Sequence, residues 1–329
     1  MLNYLELIEL CKDKRVYIQT HNYPDPDALA SGFGLSMWFK QYKINSVLCF
    51  DGQLDKRACN KMIDYFHIEA VHVSKIEFNE EGSFLLCVDT QKGSGNITPL
   101  SEHINACIDH HPVFLKSKYD YSDLRISGSC SSIVADYFHQ SGIIPSTDTA
   151  SALLYGIKID TRNFSRGVTE LDIEMFQFLN KFCNLNDLKK ITSNVMSFED
   201  LKAYTNAIET LRVYGRTGFA EIEFPCSDDI IAMISDFFLS LDEIDLCVVF
   251  SKRKDGIKLS IRSERDEIHA GNWANMALDE VGTGGGHSYM AGGFIPLCNL
   301  DLLGQYPIDG IESLFMKALK SIREENNLY

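Results

Sequence analysis

Residues 15–31 read RVYIQTHNYPDPDALAS. The opening run, RVYIQT, is apolar and β-branched enough for one short strand, and from about Ala28 to Tyr42 the spacing is that of a helix. Between the two stand His21, Asp25 and Asp27, three polar groups within seven positions where packing asks for none. A strand feeding directly into a helix is the building unit of a parallel sheet, and in such sheets ligands collect beyond the carboxyl ends of the strands.

The alternation continues along the first half. SVLCF (46–50), a helical stretch near 56–66, SFLLCVD (83–89) and NACID (105–109) follow in turn. Short continuous apolar runs of this kind are how parallel strands buried on both faces read. The expected fold class is therefore α/β, with a doubly wound parallel sheet. Residues 127–142, 146–161 and 169–182 are then expected as helices. The pattern from about 184 to 214 is helical and polar, and after it GFAEIEF (218–224), LCVVFSKR (246–253) and GIKLSIRS (256–263) have strand character. A Gly-rich loop, GTGGGH (282–287), and a last helix near 311–325 complete the chain. The expected division is a catalytic domain over 1–184, a helical linker over 185–215 and a smaller α/β domain over 216–329, in line with a length of 329 residues that exceeds what one core usually serves.

Composition narrows the class of partner. The 46 acidic and 31 basic residues leave a net charge of −15. That field opposes long nucleic acids, which reward basic surfaces, but it leaves room for a small anion wherever positive charge is concentrated locally. No apolar run reaches the roughly 20 residues of a membrane helix, and MLNYLELIELCKDKR reads as an amphipathic first helix, so the expected location is cytoplasmic with no membrane partner. The ten cysteines are scattered without a close pair, several inside apolar runs, and are expected as buried reduced thiols.

Acidic and histidine residues recur where apolar runs end: His21, Asp25 and Asp27 after the first; Asp89 after FLLCV; Asp109, His110 and His111 after NACI; Asp160 closing YGIKID. Any one of these is also what a helix cap looks like. Several carboxylates and imidazoles converging on one rim would be costly without cations. Oxygen and imidazole donors without thiolates suit manganese, magnesium or a related divalent ion. If Asp25, Asp27, Asp89 and Asp160 are all ligands, their charge balances two such ions.

HNYPDPDALAS, VDT, DHH and IDT, in this order and spacing, resemble the four motifs of the DHH phosphoesterases, and GTGGGHSYMAGGF resembles the Gly-rich motif of the C-terminal domain associated with that family. The resemblance runs from about His21 to Phe294 and is nearest the stand-alone, two-domain, NrnA-like nanoRNase and pAp phosphatase branch. It implies that His21, Asp25 and Asp89 hold one metal and that Asp27, Asp89, His110 and Asp160 hold the other, with Asp89 bridging. Asp109 would orient His110, and His111 would face the phosphate. Arg262 and the Gly284, Gly285, Gly286 and His287 loop would bind substrate.

The activity implied is two-metal hydrolysis, in manganese, of very short 5′-phosphorylated oligoribonucleotides such as pGpG or pApA to mononucleotides. Alternatives within the same chemistry are a pAp phosphatase, a cyclic-dinucleotide phosphodiesterase and a pyrophosphatase or polyphosphatase. A non-enzymatic nucleotide sensor is the alternative outside it. A homodimer is compatible with the resemblance. Arg162 and Arg166, just after Asp160, are either phosphate ligands or exposed loop residues, and Trp273 and Tyr289 either stack a base or pack.

Overall fold

The computed structural model describes residues 4–54, 57–113, 115–193 and 196–325. The chain divides into two compact units, Met1–Val195 and Met196–Tyr329. In the first, helix α1 (Tyr4–Cys11) precedes β1 (Arg15–Gln19), α2 (Pro26–Gln41), β2 (Ser46–Phe50), α3 (Arg57–Phe66) and β3 (Ala70–His72). Then come β4 (Ser83–Val88), β5 (Ala106–Asp109), β6 (Tyr121–Leu124), α4 (Cys130–Ser141), α5 (Thr147–Asp160), α6 (Glu170–Leu179) and α7 (Leu185–Thr192).

The six strands form one sheet in the order β3-β2-β1-β4-β5-β6, and every pairing is parallel. The chain lays down β1 to β3 in one direction and β4 to β6 in the other, so the order reverses between β1 and β4. Strand alternation sends Val16 and Ile18 to one face and Tyr17 to the other. On the first face they join Leu48, Leu86, Val88 and Ile108 under residues of α2, α4 and α5 in the larger core. Tyr17 joins Cys49, Leu85, Cys87 and Cys107 on the second face, which Ile76, Phe78, Ile97 and Leu100 cover.

Helices α2 and α5 approach closely because glycine stands at the contact. A Cβ on Gly34 would lie 2.7 Å from a methyl of Leu153, and one on Gly156 would run into Ser131 Oγ and come within 2.8 Å of Asp27 Oδ1. Asp25 starts α2, its Oδ1 accepting the Ala28 N–H at 3.0 Å with Pro26 in the first turn.

The second unit contains α8 (Asp200–Thr210), β7 (Arg212–Tyr214), β8 (Thr217–Ile222), α9 (Asp228–Phe238), β9 (Leu246–Lys252) and β10 (Gly256–Ser263). They are followed by α10 (Ala270–Leu278), β11 (Thr283–Gly286), β12 (Met290–Pro296) and α11 (Pro307–Glu325). Its sheet, ordered β11-β12-β10-β9-β8-β7, is antiparallel except for β8 on β9. Residues of α10 and α11 pack on one face and residues of α8 and α9 on the other.

Asp160 ends helix α5, within the stretch expected as a helix. The structure differs from expectation at two places. The Gly-rich segment is strand β11 paired with β12, not a loop: a Cβ on Gly284 would sit 2.6 Å from the Ala274 carbonyl oxygen of α10, so the missing side chains admit a helix onto the strand. The helical stretch expected as a linker is shared out, with Leu188 and Ile191 of α7 in the core of the first unit and Ala203 and Ala207 of α8 in that of the second. Among the described residues no helix is long and apolar enough to cross a membrane. The ten cysteines are free thiols, seven of them buried.

Candidate metal centre

The reversal of strand order between β1 and β4 leaves a crevice at their carboxyl ends, the position where open α/β sheets take ligands. His21 follows β1, Asp25 and Asp27 open α2, Asp89 follows β4, Asp109 ends β5 with His110 and His111 after it, and Asp160 arrives from the end of α5. The structure brings all eight together. His21, Asp25 and Asp89 offer donor atoms within 4.8 Å of one another, as do Asp27, His110 and Asp160, and as do Asp89, Asp109, His110 and His111.

Asp89 joins the groups by splitting its carboxylate. Oδ2 lies 3.8 Å from His21 Nε2, and Oδ1 lies 3.3 Å from His110 Nε2. The residue is held there with φ 60°, in the left-handed region, by its N–H donating to the Ile108 carbonyl at 3.0 Å. Asp is one of the few side chains that adopts that conformation readily.

Two of the three imidazoles are oriented by backbone carbonyls behind them. His110 Nδ1 is 3.0 Å from the Ser127 carbonyl and His21 Nδ1 is 2.8 Å from the Asn22 carbonyl. A carbonyl can only accept, so both histidines carry their proton on Nδ1 and turn Nε2 inward. For His110 that places Nε2 3.3 Å from both Asp89 Oδ1 and Asp160 Oδ2, a spacing that calls for a cation, or a second proton on the ring, between them.

Asp27, fully buried, accepts the Cys130 N–H on Oδ2 at 2.7 Å and the Ser131 N–H on Oδ1 at 3.0 Å, using the first turn of α4 as its support.

The donor set fits a divalent cation on independent grounds. Asp89 Oδ1 is buried and accepts no hydrogen bond from any described residue. Asp160 stands at a helix C-terminus, where a negative charge opposes the helix dipole. Burial, and then the charges of Asp27 and Asp25, push the Asp89 and Asp160 carboxyls well above the usual range. Burial also lifts Asp27, against the charge of His110. Ions placed among them would reverse each of these penalties.

One expectation is corrected here. Asp109 does not orient His110. Its Oδ1 lies 2.8 Å from Nδ1 of His111, and its Oδ2 accepts from Gln91 Nε2 at 2.7 Å. The reason is geometric: Asp109 and His111 flank His110, so their side chains meet on one side of the segment while His110 reaches Ser127 on the other. Burial raises the Asp109 carboxyl, and the hydrogen bond and charge of His111 more than offset it, leaving the group below the usual carboxylate range.

In the second unit Arg262, on β10, is 6% exposed and so is not a solvated strand arginine. Its Nε donates to Asp236 Oδ1 at 2.7 Å and one terminal nitrogen to Ser260 Oγ at 2.9 Å. With Lys258, Ser260 and Gly292 it lines a cavity of about 190 Å³. Gly284, Gly285 and Gly286 lie on β11, and the His287 ring stacks on Tyr289 with centroids 5.7 Å apart. Trp273 is buried, donating from Nε1 to the Phe315 carbonyl at 2.9 Å, and belongs to the core.

Sequence reasoning missed Gln91, Ser127 and Asp172. Asp172 accepts from Gly128 N–H at 2.8 Å and from Ser132 Oγ at 2.6 Å, bracing the turn that presents the Ser127 carbonyl. Gln91 and Ser127 carry no sequence signal, because each acts through a contact between segments far apart in the chain; Asp172 is signalled only as the third residue of a capping box with Thr169, not as a brace for the Gly128 turn.

The family model for the DHH family, N-terminal domain, matches residues 15–157, and that for the DHHA1 domain matches residues 216–320. The chain is 29% identical over 296 residues to the uncharacterized protein MJ1633 of Methanocaldococcus jannaschii, covering 89% of this chain and 60% of the relative. It therefore spans less than two thirds of that relative's length. It is 24% identical over 320 residues to the bifunctional oligoribonuclease and PAP phosphatase NrnA of Thermus thermophilus, covering 94% of this chain and 90% of that one. The crystal structure of an exopolyphosphatase-related protein from Bacteroides fragilis superposes with a TM-score of 0.78 at 16% identity, over 98% of this chain and 95% of that chain, which shows a shared fold. With both domains present in this order, the chain belongs to the DHH family.

Proposed function

We propose that this protein is a metal-dependent phosphodiesterase that hydrolyses very short 5′-phosphorylated oligoribonucleotides, such as pGpG or pApA, to mononucleotides. The observation that carries the reading is the split carboxylate of Asp89, with one oxygen toward His21 and the other toward His110, which gives two adjoining donor sets sharing one residue. His21, Asp25 and Asp89 would hold one divalent cation, and Asp27, Asp89, His110 and Asp160 the other; the donor types suit manganese or magnesium, and the resemblance to the DHH phosphoesterases favours manganese. When bound, such a pair supplies Lewis acidity at the phosphoryl oxygens and activates water as the nucleophile.

The chain's own groups do the rest. The Nδ1 protons of His21 and His110 are held by backbone carbonyls, which leaves Nε2 of each as a donor atom. His111, with Nδ1 held by Asp109, would direct Nε2 at a phosphate oxygen or the leaving group. The catalytic role falls to 1–184 and the substrate-binding role to 216–329, where Arg262, Gly284, Gly285, Gly286 and His287 would take substrate phosphate. A net charge of −15 favours short substrates over long strands. NrnA, similar over nearly its whole length, bears a name that pairs oligoribonuclease with PAP phosphatase, which supports the same substrate class.

The test is turnover in manganese, with chelator controls, of pGpG, pApA, longer oligoribonucleotides, pAp, a cyclic dinucleotide and pyrophosphate. Dinucleotide hydrolysis that falls steeply with oligomer length is the expected result. Turnover of pyrophosphate or pAp alone would replace the substrate, and tight nucleotide binding with no turnover would replace the enzyme with a sensor. A folded Asp89→Asn variant that kept wild-type turnover in saturating manganese would overturn the shared-ligand assignment.

A further inference from the structure

We propose that Gln91 is a positioning residue for His111, acting through Asp109. Gln91 lies two residues beyond Asp89, in the turn that follows β4, and its side chain crosses to the segment after β5. Its amide nitrogen donates to Asp109 Oδ2 at 2.7 Å and to the His111 carbonyl at 3.0 Å. Both partners are acceptors only, so the amide orientation is fixed: the nitrogen, with exactly two hydrogens, must face them.

The result is a closed array. Asp109 is fully buried, with Oδ2 on Gln91 and Oδ1 on His111 Nδ1 at 2.8 Å. With one oxygen pinned, the carboxylate cannot rotate away from the imidazole, and the second Gln91 bond pins the backbone of the same histidine. His111 is thereby confined in both ring tautomer and position, Nδ1 protonated and Nε2 presented. The amide also couples the Asp89 turn to the Asp-His-His segment. Groups that hold a functional imidazole from behind in this way typically change activity 10- to 100-fold when removed.

This rests on the phosphodiesterase reading for its kinetic consequence but not for its structural one, and the experiment separates the two. Gln91→Met keeps the length and volume and removes both donors. The expected outcome is a kcat lowered about tenfold, with KM for pGpG and the affinity for manganese each within about twofold of wild type. In protein with ¹⁵N-labelled histidines and magnesium as the diamagnetic ion, long-range ¹H–¹⁵N spectra of the His111 ring should show a single Nδ1–H tautomer in the wild type and a mixture in the variant.

An unchanged kcat with an unchanged tautomer would overturn the assignment. So would a loss of kcat matched by an equal loss of manganese affinity, which would place the effect at Asp89. Should Gln91→Met fail to fold, Gln91→Ala, which leaves room for water, carries the same two readouts. If the wild type turns over none of the phosphate substrates, the functional reading fails while the tautomer comparison still decides the role of Gln91.

Discussion

Asp89 does two things that few residues do together: it turns a carboxylate toward histidines on either side and holds a left-handed backbone. The two are separable by mutation. Asn tolerates φ near 60° and Ala does not, so Asp89→Ala should be less stable than Asp89→Asn by about 1 kcal/mol in denaturant unfolding, while both lose metal-dependent turnover. Equal stability of the two variants would mean that the backbone relaxes. At this scale the sequence was highly legible. Each of the eight acidic and imidazole residues picked out by its place at the end of an apolar run lies in the cluster: a helix cap explains one such charge, as at Asp25, but not so many converging. The internal wiring was not legible. The pairing of Asp109 with His111, and of Gln91 with both, depends on which way neighbouring side chains turn, and spacing alone does not encode that.

Among the elements, the approach of α2, α4 and α5 sets the cluster's dimensions. Gly156 is the close point, and Gly156→Ala would press a methyl onto Ser131 and Asp27, costing about 1–3 kcal/mol of stability and weakening manganese binding together. A variant with wild-type stability and metal affinity would show that the helices part without consequence. Asp172 is the second control point. It is fully buried and accepts from Gly128, Thr169 and Ser132. Asp172→Ala strands those donors and should cost about 3 kcal/mol, measured by denaturant unfolding, with a lower manganese affinity because the Ser127 carbonyl behind His110 loses its brace.

The strands were readable as short apolar runs. The helix that ends at Asp160 was readable too, as part of 146–161. β11 escaped. Its TGGG has no strand propensity, and it pairs only because α10 needs a surface without side chains.

Across the whole molecule the hydrophobic clusters divide by stretch of chain, two within Met1–Val195 and two within Met196–Tyr329. The candidate metal residues belong entirely to the first. Calorimetry should therefore resolve two transitions, of which only one moves when manganese replaces chelator. At 100-fold excess over the dissociation constant the gain would be about 2.7 kcal/mol. A single transition that rises with manganese would show that the units unfold as one.

The distribution of thiols has a practical corollary. Burial pushes Cys11, Cys49 and Cys247 up to about 12, so they stay protonated and shielded at neutral pH. Cys298, just past β12, is the exposed thiol of the ten. A maleimide dye offered briefly to the native protein should stop near one label per chain. That would give an optical reporter on the second unit without altering a core residue.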